Sequence, residues 1–302
     1  MIAGARRQGL EALAMLGKVL RDEPMARHTT LGVGGPADWF FQPRDRDALA
    51  RAMPLIPADM PRLPLGRGSN LLVLDGGFRG VVIDMAGLNV TRLTGNELYA
   101  EAGARMSRVA SLCAAQGLSG LEFLATVPGN IGGGVAMNAG AFGQEIADCL
   151  QRVEVMDGEG RCMALERSSL AMGYRCTRLP EGALVVAACF RLQAMDAAKV
   201  RQRMRAMREQ RGKRQPLSWP NCGSVFKNPP GDYAARLIEA AGLKGMRIGG
   251  ARISERHANF IVNEGDATAA DVLALIERAR EAVWRQAGVR LETEVRIVGE
   301  KR

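Results

Sequence analysis

Between Phe123 and Gln144 the chain runs 22 residues without a charged side chain, long enough to be weighed as a membrane span. Its content forbids that reading. Pro128, Asn130, Asn138 and six glycines would leave backbone groups that hydrocarbon cannot satisfy and make a poor helix even in water. Such a stretch is expected as buried loop and strand, so the fold must close around glycine-rich backbone. The whole chain holds 36 glycines, about 12% against a usual ~7%. Many loops must approach something closely.

The 302 residues give room for about two domains, and 47% apolar with 24% charged residues is an ordinary globular composition. Ala5–Arg21 reads as one amphipathic helix, with Leu10, Leu13, Met15, Leu16 and Leu20 at helical spacing, ending at Glu23-Pro24. From His28 to Phe190 short strands alternate with glycine turns: Ala37–Gln42, Leu71–Leu74, Val81–Met85, Leu98–Ala102, Arg152–Asp157 and Leu184–Leu192, interrupted by helices at Asp45–Met53 and Met106–Gln116. Asp196 then reads as the N-cap of a long basic helix reaching about Arg211 and stopping before Gln215-Pro216. Beyond a loop at Trp219–Asp232 come a helix at Tyr233–Ala241, a strand at Ala258–Val262, a helix at Thr268–Gln286 with Thr268 and Asp271 as a capping box, and a closing strand at Glu292–Val298. The class is α+β. Residues 1–27 form a helix appended to a first domain at 28–193, with subdomains at about 28–85 and 86–193, and a second α+β domain follows at 194–302.

Lysine and arginine exceed aspartate and glutamate by 41 to 32, a net charge of +9, which favours anionic partners. Much of the excess sits at Lys199, Arg201, Arg203, Arg205, Arg208, Arg211, Lys213 and Arg214, with Glu209 the sole acidic interruption. A solvated helix face, a phosphate-facing role for its last residues and nucleic-acid binding are the three readings of that run. Scarce aromatics offer few stacking platforms for single strands. The six cysteines never form a Cys-x-x-Cys pair, and only His28 and His257 could add imidazole, so no zinc or iron–sulfur spacing exists. Buried free thiols are expected, in a reducing cytoplasm. Arg6-Arg7 resembles the start of an export signal, but Glu11 and Lys18 break the apolar stretch that follows and no small-residue cleavage site is present.

Two segments resemble dinucleotide fingerprints. Gly32-Val33-Gly34-Gly35-Pro36-Ala37 fits on paper, yet strand-like Trp39-Phe40-Phe41 follows where a helix is needed. Gly66-Arg67-Gly68-Ser69-Asn70 has strand signals on both sides, as in a tight turn whose consecutive N–H groups cradle an anion. An ordinary hairpin turn is the alternative. A second glycine-rich loop at Val127–Gly134, followed by Met137–Gly143, makes a large nucleotide cofactor gripped from two sides the stronger reading. On these residues alone, a sugar-nucleotide site fits equally well.

At this point the motifs resemble a known family, the UDP-N-acetylenolpyruvoylglucosamine reductases of bacterial cell-wall synthesis. The resemblance rests on Val33–Asp38, Gly66–Asn70, Pro128–Gly143, Tyr174-Arg175, Cys222–Pro229, Gly242–Gly245, Ile248–Ala251 and Glu294–Arg296, in that order along the chain. His257–Asn263 is similar to the shorter branch, which lacks a tyrosine-bearing loop. The resemblance implies a vanillyl-alcohol-oxidase-type (PCMH-like) FAD-binding domain of two subdomains with a C-terminal α+β substrate domain. It implies that NADPH reduces non-covalent FAD, which then reduces the enolpyruvyl group of UDP-N-acetylglucosamine enolpyruvate to UDP-N-acetylmuramate. A cytoplasmic monomer without membrane or nucleic-acid partners is the expectation.

By the same resemblance, Arg175 and Glu294 stabilise charge developing at the substrate carboxylate and Ser224 gives a proton to its second carbon. Gly66, Arg67, Gly68, Ser69, Asn70, Pro128, Gly129, Ile131, Gly132, Gly133, Asn138, Ala139, Gly140 and Arg296 hold the flavin. Tyr174, Arg214, Lys227 and Asn228 hold the substrate, with Arg214 standing where lysine is common. His28, Gly134, Thr177 and Ala235 depart from the usual residues without removing a catalytic one. Another flavoprotein of the same fold, a catalytically dead flavin sensor and a basic nucleic-acid binder are the competing readings.

Overall fold

The computed structural model describes residues 8–302. The chain divides into two compact units, each assembled from separate stretches: the described residues of Met1–Arg21 with Trp39–Gly66 and Gly80–Glu209, and Asp22–Asp38 with Arg67–Arg79 and Gln210–Arg302.

The first unit is organised by a five-stranded antiparallel sheet in the order Cys162–Glu166, Leu150–Met156, Leu184–Arg191, Glu97–Glu101, Thr91–Thr94. Leu184–Phe190 is buried without a break, as a central strand covered on both faces requires, and the helix Ile131–Ala136 packs against it. A second sheet runs Gly17–Pro24, Pro36–Pro43, Phe78–Asp84, Arg62–Leu65, the last two parallel. Asp45 starts the helix Arg46–Ala52 by accepting from Ala48 N at 2.8 Å. Phe41, Phe123 and Phe190 anchor the core of this unit.

The second unit has the antiparallel strands Arg247–Ile248, Ala251–Ile253 and Ile261–Asn263 with helices Ala234–Ala240 and Ala269–Ala287. The longer helix buries Val272, Leu275, Ile276, Ala279 and Val283 on one face. Its start is held twice: Thr268 and Asp271 form the expected capping box, and the Asp75 carboxylate accepts from Ala269 N and Ala270 N at 2.9 and 2.8 Å. The strand Arg296–Val298 pairs in parallel with Leu71–Val73.

The basic helix Ala197–Arg214 begins as expected, with Asp196 Oδ1 accepting from Ala198 N and Lys199 N at 2.7 and 3.0 Å. It buries only Val200 and Met204. Arg203 lies 3.6 Å from the buried Glu122 carboxylate, while Lys199, Arg201, Arg205, Lys213 and Arg214 are exposed and have no ion pair among the described residues.

Four expected elements differ. The N-terminal helix covers residues 8–12 with a 3₁₀ turn at Leu13–Met15, and Gly17–Pro24 is strand; Ala5–Arg7 of that expectation lie outside the described residues. Leu10, Leu13 and Leu16 are buried, but Met15 is 79% exposed. A Cβ on Gly17 would stand 2.1 Å from Gln42 O, so close backbone contact with strand Pro36–Pro43 wins over helical spacing. Within the charge-free stretch, Ile131–Ala136 is a short helix despite three glycines. The strand expected at Ala258–Val262 begins at Ile261, since Phe260 N donates to His257 O in a turn. The closing strand begins at Arg296, because Glu294 N and Val295 N both donate to Val225 O.

Candidate active site

The first unit carries one group of the expected site residues. Gly129 O accepts from Met106 N, while Ile131 N and Gly132 N donate to Ala104 O and Ala102 O, all at 2.9–3.1 Å. Backbone bonds thus fix the loop before the short helix starts. A Cβ on Gly132 would sit 2.8 Å from Ala102 Cβ, whereas one on Gly133 meets nothing within 4 Å. Gly132 is therefore a packing glycine, and Gly133, which is exposed, presents bare backbone outward. Asn130 adds the polar signal. Its Nδ2 donates to Gly103 O at 2.8 Å, but its Oδ1 is buried without a hydrogen-bond partner among the described residues, an acceptor that costs free energy until something donates to it. Gly66 lies against the same side chain, its ideal Cβ 3.4 Å from Asn130 Cβ.

Asn138 and Gly140 serve the loop that holds Arg175. Asn138 is fully buried at φ +41, donating to Gly173 O and accepting from Ala147 N, both at 3.0 Å. Arg175 Nη2 donates to Gly140 O at 2.9 Å, and a Cβ on Gly140 would crowd Arg175 Nη1 at 3.2 Å. Arg175 has φ +55, a left-handed conformation uncommon for a non-glycine residue. Its guanidinium lies 5.0 Å from the Tyr174 ring centroid. Ala139 is buried and Pro128 exposed beside these groups in sequence.

In the second unit, the Arg67–Asn70 turn joins strands of different sheets and so is not a hairpin. Gly68, at φ +58, has no room for a side chain, since its Cβ would fall 2.2 Å from His28 O. Arg67 N, Gly68 N and Asn70 N donate no hydrogen bond among the described residues, the arrangement of an anion nest. Arg67 is exposed. The turn is tied to the other expected residues of this unit: Asn70 Nδ2 donates to Glu294 O at 3.0 Å, Arg296 N donates to Asn70 O at 3.1 Å, and Ser69 O is 3.9 Å from the ideal Cβ of Gly223. Glu294 N donates to Val225 O at 2.8 Å, setting Glu294 beside the residue that follows Ser224. Ser224 is half-buried and makes no hydrogen bond among the described residues.

The expected substrate-binding residues are more dispersed. Lys227 Nζ pairs with Glu292 at 3.2 Å, Asn228 Oδ1 accepts from Ala234 N at 3.1 Å at the start of helix Ala234–Ala240, and Arg214 ends the basic helix in solvent. Cys222 is buried, and that burial pushes its thiol up to about 12, which removes it as a nucleophile. His257 is held low by burial, its Nδ1 unpartnered among the described residues. No group of three metal-ligating side chains occurs among the described residues.

In the first unit an orphaned buried acceptor and an outward-facing glycine fit the polar edge of a nucleotide, and in the second the unengaged N–H groups of Arg67, Gly68 and Asn70 fit an anion. Residues 37–166 match the FAD binding domain family, which makes this a flavoprotein. Residues 215–298 match the C-terminal domain of UDP-N-acetylenolpyruvoylglucosamine reductase. The chain is 48% identical over 285 residues to the UDP-N-acetylenolpyruvoylglucosamine reductase of Alkalilimnicola ehrlichii, covering 94% of this chain and 96% of that protein. It is 45% identical to the Moorella thermoacetica reductase over 99% of this chain and 98% of that one. The crystal structure of UDP-N-acetylenolpyruvylglucosamine reductase from Thermus caldophilus superposes with a TM-score of 0.81 at 38% identity, over 93% of this chain and 98% of that one. This chain belongs to the UDP-N-acetylenolpyruvoylglucosamine reductase family.

Proposed function

We propose that this chain reduces UDP-N-acetylglucosamine enolpyruvate to UDP-N-acetylmuramate with NADPH and FAD, in the supply of peptidoglycan precursors. FAD supplies the two-electron relay from NADPH to the enolpyruvyl double bond. The N–H groups of Arg67, Gly68 and Asn70 would take its phosphates, and Asn130 Oδ1 would accept from its polar portion. Gly133 lets the cofactor lie on backbone.

Saturating the enolpyruvyl double bond places negative charge on the second carbon and its carboxylate before a proton arrives. Arg175, braced by Gly140 O and its neighbouring tyrosine ring, grips that carboxylate with a planar fork of donors. Glu294, when protonated, donates a second hydrogen bond to the same charge. Ser224 delivers the proton to the second carbon. The observation that carries this reading is the Ser224 hydroxyl, unengaged among the described residues, on a backbone fixed at every neighbouring amide and next to Val225, whose carbonyl accepts from Glu294 N. Six free cysteines support a reducing cytoplasm as its location.

The test is an absorption spectrum. The purified protein should show flavin bands that bleach with anaerobic NADPH and return on adding UDP-N-acetylglucosamine enolpyruvate. A colourless protein that takes up no added FAD would overturn the proposal.

A further inference from the structure

We propose that Asn221 and Asn259 are positioning residues for the Ser224 hydroxyl, an inference that rests on the proton-donor reading of Ser224. Asn259 is 3% exposed. Its Oδ1 accepts from Phe226 N at 2.9 Å and its Nδ2 donates to Phe226 O at 2.8 Å, while its own carbonyl accepts from Val225 N at 2.9 Å. One asparagine thereby takes up the N–H of Val225 and both the N–H and the C=O of Phe226. On the other side, Asn221 Oδ1 accepts from Gly223 N at 2.9 Å, and Asn221 is itself anchored by Thr30, whose Oγ1 donates to Asn221 O at 2.7 Å and whose carbonyl accepts from Asn221 N at 3.1 Å.

The consequence is specific to residue 224. A continuous β-ladder through Gly223–Phe226 would have engaged the Ser224 peptide too and set its side chain by the pleat of the strand. A side-chain amide reproduces a ladder rung with one donor and one acceptor without a neighbouring strand. With rungs supplied only at Gly223 and at Val225–Phe226, Ser224 stands out of the ladder between two fixed points. Its Cα is held while its hydroxyl and N–H remain available to a ligand. An amide suits Phe226 because it offers an acceptor and a donor on separate atoms to the N–H and C=O of one residue, whereas a hydroxyl has a single oxygen for both and an ionised carboxylate has no donor.

The experiment measures the two half-reactions of the FAD-loaded enzyme by rapid mixing, for Asn221→Ala and Asn259→Ala, each alone and combined with Ser224→Ala. A proton donor displaced by about 1 Å loses up to ~10²-fold, so each asparagine variant should slow flavin reoxidation by substrate about tenfold or more. Flavin reduction by NADPH should stay within about twofold, and kcat should fall without a rise in KM for the UDP-sugar. In the Ser224→Ala background the same changes should cost less than about twofold, since the hydroxyl they position is gone. Asn259→Asp, which keeps the acceptor for Phe226 N, should recover part of the lost rate. If Asn259→Ala does not fold, Asn221→Ala, on a half-buried turn, and Asn259→Asp carry the comparison. Equal slowing of both half-reactions, or the same penalty with and without the Ser224 hydroxyl, overturns the positioning role. Native reoxidation by Ser224→Ala alone would instead overturn the proton-donor reading, and the positioning role with it.

Discussion

Gly132 and Gly133 are adjacent in one helix and face opposite demands. An alanine at Gly132 puts its Cβ 2.8 Å from Ala102 Cβ, an overpacked contact costing about 1–3 kcal/mol. An alanine at Gly133 meets nothing within 4 Å and gains helix propensity of about 0.5–1 kcal/mol. Gly132→Ala should therefore lower the melting temperature of the cofactor-free protein. Gly133→Ala should leave it unchanged or raise it, yet weaken FAD binding about tenfold or more by occupying the face where the cofactor lies. Paired melting curves and FAD titrations separate the two effects; FAD affinity unaltered by Gly133→Ala would refute that placement. The glycine run itself is visible in sequence, but its reading as loop and strand missed the short helix Ile131–Ala136 that holds both residues. The roles of Asn130, Asn221 and Asn259 were not legible, since an isolated asparagine carries no spacing signal and its partners, such as Gly103 O or the Phe226 peptide, are adjacent only after folding. The positions of Lys227 and Asn228 show the converse: their family motif is plain, but the structure gives Lys227 a pairing with Glu292 and Asn228 a helix-capping bond that sequence alone could not reveal.

At the scale of elements, local signals identified those whose ends are specified locally. Asp45, Asp196 and the Thr268–Asp271 box each start a helix as expected. Segments governed by distant pairing were less legible: Gly17–Pro24 became a strand on contact with Pro36–Pro43, and Glu292–Val295 forgoes a strand to engage Lys227 and Val225. Asp75 was invisible as a cap, being nearly two hundred residues from the helix that it starts. Asp75→Ala should cost about 0.5–2 kcal/mol, as for lost N-caps, and Thr268→Ala a similar amount, each read as a shift in denaturant midpoint. The capping box adds a pH dependence. The Thr268 N–H donated to the Asp271 carboxylate holds that group below the usual carboxylate range, so its folded pKa lies under its unfolded one. Its contribution is full above the unfolded value and lost as pH falls through the folded value. The stability difference between the native chain and Asp271→Asn should thus narrow on acidification below about pH 4; a difference independent of pH from 7 to 3 would contradict the assignment.

Taken whole, the molecule closes a separate hydrophobic core in each unit, and its cysteines are distributed so as to report on both. Cys113 and Cys189 are buried in the first unit and Cys222 in the second, while Cys162 and Cys176 are exposed. Burial pushes Cys113 up to about 12 and Cys149 up to about 11, and Cys149 Sγ also donates to Gly120 O at 3.3 Å. Cys189 is raised by burial as well. Because the thiolate is the reacting species, these groups are protected twice over, by access and by protonation. At neutral pH an aromatic disulfide reagent should titrate the two exposed cysteines of the native protein rapidly, and all six only in denaturant. Cys162→Ser with Cys176→Ser should abolish the fast phase. Stepwise denaturation should then release the Cys113, Cys149 and Cys189 thiols with the first core and Cys222 with the second, so that quantifying each labelled cysteine against denaturant tells whether the two cores melt in one transition or two. Rapid labelling of Cys222 in the native enzyme would mean that the Cys222–Phe226 segment opens readily, a result incompatible with the fixed backbone that the Ser224 reading requires.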